Sequence, residues 1–442
     1  MADSGYMTGR MSMIPMLCTI WLVGGGAAAA TVTTTTATDA TPGAKPPITL
    51  ELVEARVRER NPEIQAALAA ARAARAMASA AAAWPAPGLG VSYEDFPRPG
   101  FAPGEADRKS VDITQEIPFP GKTLLARRAG SADARKAEAE ARRVVQEQVF
   151  MARQAWWDLV VAVESARVVA RAREAMTQVV ELSGRRSQFG QVGRMEQLMD
   201  PMARMESASL KAKALDLRQE RRTAETQLSA LMGLDPAGDL GEPEASVPSE
   251  SLTPEDAAWL DAGLDDSPTV AVALQDLKAM QARRTQARAG WFPDFMLQYR
   301  AVDMKDGLRT GMAMAKVTVP FVWFWGPVGE NRAATEEVLA STEMIRQARL
   351  EVRRMASEEI SRLGIVREQL AIFDGEIIPQ TGRALDFAVS GYQSGSIGPA
   401  DVLTAVGAFV SMNIERLMLK AQIGRSVAVL ARLKGEKSGG NR

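Results

Sequence analysis

From Lys122 to Ser183 the sequence contains no proline. Within that run Val145, Val149, Ala152, Trp156, Leu159, Val163, Ala166 and Ala170 step by alternating four and three, which is the heptad seam of a coiled coil. At ~1.5 Å per residue the helix would be a rod of roughly 90 Å, a length few globular domains contain. A second seam follows at Val352, Ala356, Leu363, Val366, Leu370, Phe373 and Ile377, with only Glu359 out of character. Helical hairpins packed by knobs into holes are the expected product. Pro379 lies just beyond the second seam, where its missing donor should kink or break the helix.

The two rods belong to an internal duplication offset by about 205 residues, longer than ordinary solenoid periods. Asn61-Pro62 matches Ser267-Pro268, Trp84-Pro85 matches Phe292-Pro293, Pro118-Phe119 matches Pro320-Phe321, and Gly121 matches Gly326. Gly190 and Gly193 match Gly395 and Gly398, with Glu196 against Asp401 and Leu198 against Leu403. Each copy reads as a helix, two strands around a loop, a very long helix, a glycine-bearing turn and a helix of intermediate length. The expected units are a first repeat over 49–233 and a second over 257–434. Linkers are expected at 31–48 and at 234–256, the latter rich in Gly, Pro, Ser and acids, with a polar disordered tail at 435–442.

Strands are predicted at Leu89 to Asp95, Ser110 to Ile117, Asp294 to Val302 and Gly311 to Val319. Val111, Ile113 and Ile117 alternate with Asp112, Thr114 and Glu116, as Phe295, Leu297 and Tyr299 alternate with Met296, Gln298 and Arg300. A dyad pattern over ~9 residues suits a barrel wall with lipid on one side and water on the other. A half-buried soluble sheet shows the same alternation, and the strands alone do not separate the two. The flanking aromatics do: Trp84, Phe119, Trp291, Phe292, Phe321, Trp323, Phe324 and Trp325 all fall where a strand meets a helix, as an interfacial girdle would. A core cluster beneath the sheet is the competing account. Four strands cannot close around an aqueous channel, whereas three chains of four give twelve, so the geometry calls for a trimer.

Composition removes most chemistry. The formal charge of -1 gives no reason to expect nucleic acid as a partner. Histidine is absent and the sole cysteine is Cys18, so Ser-His and Cys-His catalysis and His or thiolate metal sites have no residues to use. No enzyme and no cofactor are expected. Arg10, the apolar run Met11 to Val23 and the small residues Gly24 to Ala30 read as a signal peptide over 1–30, cleaved near Ala29 or Ala30. Pro15-Met16-Leu17 before Cys18 lacks the small residue that precedes a lipidated cysteine, so no lipid anchor is expected. No later segment reaches the ~20 unbroken apolar residues of a spanning helix.

The turn Tyr392-Gln393-Ser394-Gly395 followed by Asp401-Val402-Leu403, the duplication, and Gln115-Glu116-Ile117-Pro118-Phe119-Pro120-Gly121-Lys122 together resemble the TolC family of outer-membrane efflux proteins, from about Thr49 to Leu433. The last stretch is similar to that of the heavy-metal branch, the CzcC-like and CusC-like proteins. The resemblance implies a mainly α fold with a membrane β-barrel: a periplasmic α-helical barrel of coiled-coil hairpins, and four strands per chain completing a trimeric twelve-stranded barrel. It further implies a homotrimer in outer-membrane lipid that docks on a periplasmic adaptor coupled to an inner-membrane transporter, expected to be proton-driven. The expected function is a passive conduit exporting metal cations or small toxic compounds. A secreted periplasmic coiled-coil scaffold is the alternative from another class; it would explain the heptads and the signal but not the girdle.

By the same resemblance Tyr392 and Asp401 occupy tip positions that hold a closed state, with Glu196 as the acidic counterpart and Arg194 and Arg186 near enough to supply positive charge. Ile397 and Thr404 stand where the family's closing arginine and constricting aspartate are expected, so the closing network is altered or displaced here. Threefold symmetry would turn each acid into a ring, a common device in cation conduits. Met195, Met199, Met202 and Met205 recur at helical spacing beside the first turn. Thioethers are suitable ligands for Cu(I), although methionine is also a frequent filler of helix seams.

Overall fold

Asn61 shows how this chain starts a helix. Its Oδ1 accepts the backbone N–H groups of Glu63 and Ile64 at 2.9 and 3.1 Å, and Pro62 supplies a first-turn residue that needs no hydrogen bond. The buried Nδ2 of the same residue donates to Leu231 O at 2.8 Å, so the cap also ties this helix to a distant one. Our computed structural model describes residues 47–96, 103–188, 194–235, 240–244, 259, 263–319 and 324–435, with backbone only for 186–188 and 194–200. The expected signal peptide and Cys18, together with Gly190, Gly193, Phe321 and Trp323, lie outside the described residues, as do most of the 234–256 linker and all of the expected tail but Gly435.

The first half comprises α1 (Leu50–Arg60), α2 (Pro62–Ala80), β1 (Gly88–Glu94), β2 (Arg108–Ile117), α3 (Lys122–Gln188) and α4 (Arg194–Leu231). The second comprises α5 (Pro268–Arg288), β3 (Phe295–Met304), β4 (Arg309–Val317), α6 (Trp325–Ile372), α7 (Ile378–Ser394) and α8 (Pro399–Lys434). With 67 residues, α3 is a rod of about 100 Å. The four strands form one antiparallel meander in the order β1-β2-β3-β4, and β2 and β3, one from each half, pair along ten residues.

Burial follows the rods in three successive clusters. One surrounds Trp156, Trp157 and Leu159 of α3 and takes in Val53, Val57 and Leu228. A second gathers Val169 and Met176 of α3, Leu385 and Tyr392 of α7, and Val402 and Val406 of α8. The third joins Val352, Leu363 and Val366 of α6 to Ile423, Leu430 and Leu433 of α8. The α6 seam matches the heptad expectation at Val352, Ala356, Leu363 and Val366. In α3 the seam holds from Val149 to Val163 and then slips by one: Ala170 is exposed, while Val169, Ala172, Met176 and Val179 are buried. The slip coincides with a change of neighbours, from the cluster around Trp156 to the one shared with Leu385 and Val402.

Two further expectations are corrected. Pro379 does not break its helix: the five residues Phe373–Ile377 form a π turn between α6 and α7 and the rod continues through it. The wider turn gives the proline ring the room that an α turn would deny it, and absorbs the missing N–H. Secondly, α8 is long and apolar enough by length and composition to span a membrane. Its apolar positions instead serve all three clusters, through Ala421, through Val402 and Val406, and through Ile423 and Leu430.

Where β2 becomes α3 and α5 becomes β3, the two halves are clamped together. Asp294 accepts the Phe119 N–H at 2.9 Å and the Lys122 ammonium at 2.7 Å, and the Phe119 and Phe292 rings stack with centroids 4.6 Å apart. Partial burial would raise the Asp294 carboxyl, but the hydrogen bonds from Lys122 and Phe119 and the Lys122 charge outweigh it and hold the group below its usual value. A carboxyl depressed in the folded state stabilises above its unfolded pKa, and that contribution disappears as pH falls through the folded one. Asp294→Asn should therefore lower the thermal unfolding midpoint at neutral pH, with the gap to wild type closing below about pH 4. A gap independent of pH would show that the clamp is not ionic.

The tightest helix crossing is at Gly424 of α8, where a Cβ would sit 1.9 Å from the Trp157 ring of α3. Trp157 is buried and cannot withdraw. Gly424→Val should cost at least the ~1–3 kcal/mol of an overpacked core. Thermal unfolding followed by circular dichroism checks this; a wild-type midpoint would mean that the two helices part freely.

Candidate functional site

The register of the sheet sorts its side chains into two unlike faces. Across the strands Leu89, Ile113, Tyr299 and Ala313 stand side by side, followed by Val91, Val111, Ala301 and Gly311. This apolar face is the more exposed one: Leu89 is 79% and Val91 63% accessible, and Val111, Ile113, Leu297 and Tyr299 are exposed with them. The opposite face carries Asp112, Thr114, Gln298 and Arg300 and is joined by hydrogen bonds. Gln298 Nε2 donates to Asp112 Oδ2 at 3.0 Å, the Ser92 and Ser110 hydroxyls meet at 2.6 Å, and Arg300 pairs with Glu94 at 3.5 Å. Asp112 leans so far over β1 that a Cβ on Gly90 would come 2.6 Å from its Oδ1. A sheet whose hydrogen-bonded polar face is the less exposed one and which presents valine and leucine outward is inverted relative to a soluble protein, and suits a wall between lipid and a polar lumen.

At the helix end of the sheet Trp84, Trp291, Phe292, Phe324 and Trp325 are exposed, whereas Phe119 is half-buried. Phe324 and Trp325 meet edge to face at 5.5 Å. Among the described residues, neither edge of the sheet, β1 or β4, has a partner strand.

At the other end of the rods, α7 turns into α8. Gly395 adopts φ 79°, the left-handed geometry that favours glycine, and lets Ser396 N–H reach Gly391 O at 2.9 Å and Gly395 N–H reach Tyr392 O at 3.2 Å. Ile397 folds back on Gly391, where a Cβ would meet its Cδ1 at 2.5 Å. The position where the family pattern has an arginine thus holds an apolar plug. Gly398 caps α8 in extended geometry, and Asp401 lies exposed in its first turn, where the helix N-terminus favours negative charge. Tyr392 is 2% exposed and sits in the second cluster among Leu385, Val402 and Val406. The turn therefore brings Tyr392, Gly395, Gly398 and Asp401 together, with the tyrosine turned into its own chain's core and the acid turned outward. Arg194, Met195, Glu196 and Met199 lie in the first turns of α4, their side chains, like that of Arg186, outside the described residues. Met202 and Met205 of that helix are exposed.

The Asp112–Gln298 and Glu94–Arg300 contacts and the Lys122–Asp294 clamp are site features that the sequence did not single out. Alternation marks these residues as polar-facing, but nothing local reveals which strand meets which across about 180 to 210 residues.

Comparison with known proteins agrees with this geometry. Residues 259–436 match the model of the outer membrane efflux protein family. No curated protein matches the chain in sequence. The solved structure of the outer-membrane channel OprN is similar with a TM-score of 0.73 at 18% identity, covering 87% of this chain and 89% of that one. The outer membrane protein VceC from Vibrio cholerae gives 0.70 at 17% identity over 87% and 96%. CusC, described in terms of folding and transmembrane channel formation, gives 0.72 at 16% over 87% and 91%. The outer membrane efflux protein family's model thus matches the second half of the chain, and the fold of these solved outer-membrane channels extends over 87% of it.

Proposed function

We propose that three copies of this chain close a twelve-stranded barrel in the outer membrane and continue it as a helical barrel in the periplasm. The observation that carries this reading is the inverted sheet with two open edges. Each edge strand leaves a row of N–H and C=O groups that lipid cannot satisfy, so a membrane-embedded sheet of four must pair with other chains until it closes. A soluble scaffold would cover Leu89, Val91 and Val111; here they are exposed. The duct serves an adaptor and an inner-membrane transporter, and its cargo is metal cations or small toxic compounds. A deletion strain exposed to divalent metals, Cu(I), Ag(I) and hydrophobic antibiotics identifies the class.

The barrel is tested by charge placement. Val111→Arg or Ile113→Arg puts a charge in lipid and should cost roughly 2–4 kcal/mol near the bilayer midplane, whereas Asp112→Arg and Thr114→Arg face the lumen and should assemble. Heat-sensitive trimer in outer-membrane fractions is the readout, and equal tolerance on both faces would overturn the wall.

The gate is placed at the turn between α7 and α8, with the Asp401 and Glu196 carboxylates ringed around the threefold axis, held by Arg194 and Arg186. Like charges ~7 Å apart at an effective dielectric of ~20 repel by roughly 2 kcal/mol per pair, so a closed ring needs cations or arginines. Because Tyr392 is buried in its own chain while Asp401 is exposed, Asp401→Ala alone should account for most of the loosening, and adding Tyr392→Phe should change little. Single-channel conductance in planar bilayers should rise and divalent-cation block should weaken. Wild-type values for both would put the constriction elsewhere.

A further inference from the structure

On the exposed face of the sheet, the row Val91, Val111, Ala301 and Gly311 falls from valine on β1 and β2 to alanine on β3 and glycine on β4, while Tyr299 in the row on one side and Tyr93, Lys109 and Arg309 in the row on the other remain large. The result is a groove of about 590 Å³ with an apolar floor. Tyr299 lies across its narrow end, its hydroxyl 2.9 Å from where a Gly311 Cβ would be. Lys109 and Arg309 stand on the rim nearest the loops, two strands and about 10 Å apart, with Asp303 between them. Arg309 reaches Asp303 only at 3.6 Å and is 84% exposed, leaving its guanidinium open to a stronger acceptor.

This rim is the end of the strands remote from α3 and α6, so in the outer-membrane reading, on which the inference rests, it meets the outer leaflet. Strand pairing with neighbouring copies occurs in the plane of the sheet and leaves the groove facing lipid. We propose that the groove binds a phosphorylated, multiply acylated glycolipid of that leaflet. An acyl chain lies over Val111 and Ala301, the phosphate bridges Lys109 and Arg309, and the Tyr299 hydroxyl donates to an oxygen of the headgroup. Arginine offers the phosphate a planar fork and lysine a point charge, and the apolar stems of both extend along the groove wall.

The test uses the full-length protein purified in neutral detergent, with native mass spectrometry counting bound bisphosphorylated lipid A, its dephosphorylated form and phosphatidylglycerol. Wild type should retain bisphosphorylated lipid A. Retention should fall about tenfold in Lys109→Ala/Arg309→Ala, as expected for two lost charge-assisted contacts. Ala301→Leu, which fills the groove without touching charge, should also lose the lipid, and Lys316→Ala on the polar face should keep it. Equal retention of dephosphorylated lipid A or phosphatidylglycerol by wild type, displacement by inorganic phosphate alone, or unchanged retention in both groove variants would overturn the site. The wild-type comparison stands even where a variant fails to assemble. Sedimentation of wild type away from the outer membrane would instead overturn the barrel itself, a separate result.

Discussion

In the barrel proposed above, a peptide group in hydrocarbon would have no water to fall back on, and the open edges of the four-stranded sheet are where this constraint would act. Among the described residues β2 and β3 are paired on both sides, whereas β1 and β4 each present one unpaired row. Because pairing alternates residues between faces with period two, the register that satisfies the backbone would also decide which side chains meet lipid. A slip of β3 by one residue against β2 would send Arg300 outward and Ala301 inward while Asp112 and Val111 kept their faces. The polar contacts on the far face act against such a slip, since Gln298 and Arg300 find Asp112 and Glu94 only in the register observed. Backbone closure, face polarity and the hydrogen-bonded lumen side are thus one condition seen three ways.

The helices obey a different economy. No single core forms among the described residues; two clusters succeed one another along α3, and a third joins α5, α6 and α8 without it. Such a rod can change partners along its length, and the one-residue slip of its seam after Val163 is the mark of that change. Close approach is concentrated at glycine, with Gly424 under Trp157 and Gly130 against Ala78 of α2, where a Cβ would come 2.9 Å from the alanine Cα.

Legibility from sequence followed the range of the interaction. The four strands were placed to within two residues because alternation is local, and the start of α3 because Pro120 and Gly121 precede it, whereas its end was expected near Ser183 and lies at Gln188 or beyond. The seam was legible only as far as a strict heptad holds, so Ala170 was expected inside and Val169 was found there. Pro379 was expected to interrupt its rod, because a propensity argument does not see that five residues of π turn can accommodate it. Contacts across the duplication, such as Lys122 with Asp294, carry no local signal at all. Tyr392 shows the opposite difficulty: its position in the turn was plain, yet whether its ring faces a neighbour or its own core depends on α8, which returns beside it.

That turn also constrains how the tip can move. The three backbone hydrogen bonds closing it, the left-handed Gly395 and the Ile397 side chain packed on Gly391 all lie within seven residues. Immediately beyond, Tyr392, Val402 and Val406 lock α7 to α8 through buried apolar contact, each such side chain worth about 1.5–3 kcal/mol. Separating the two helices at the turn would expose this cluster, whereas displacing them together leaves it intact. The π turn at Phe373–Ile377 lies at the base of the pair, its hydrogen-bonding pattern already irregular and none of its residues buried. Asp374 within it pairs with Arg416 of α8, an ion pair between largely accessible groups and so worth little beside the apolar lock. The balance of these terms puts rigidity at the turn and compliance some twenty residues away, so in the proposed gate a charge at Asp401 would act on α7 and α8 as one unit.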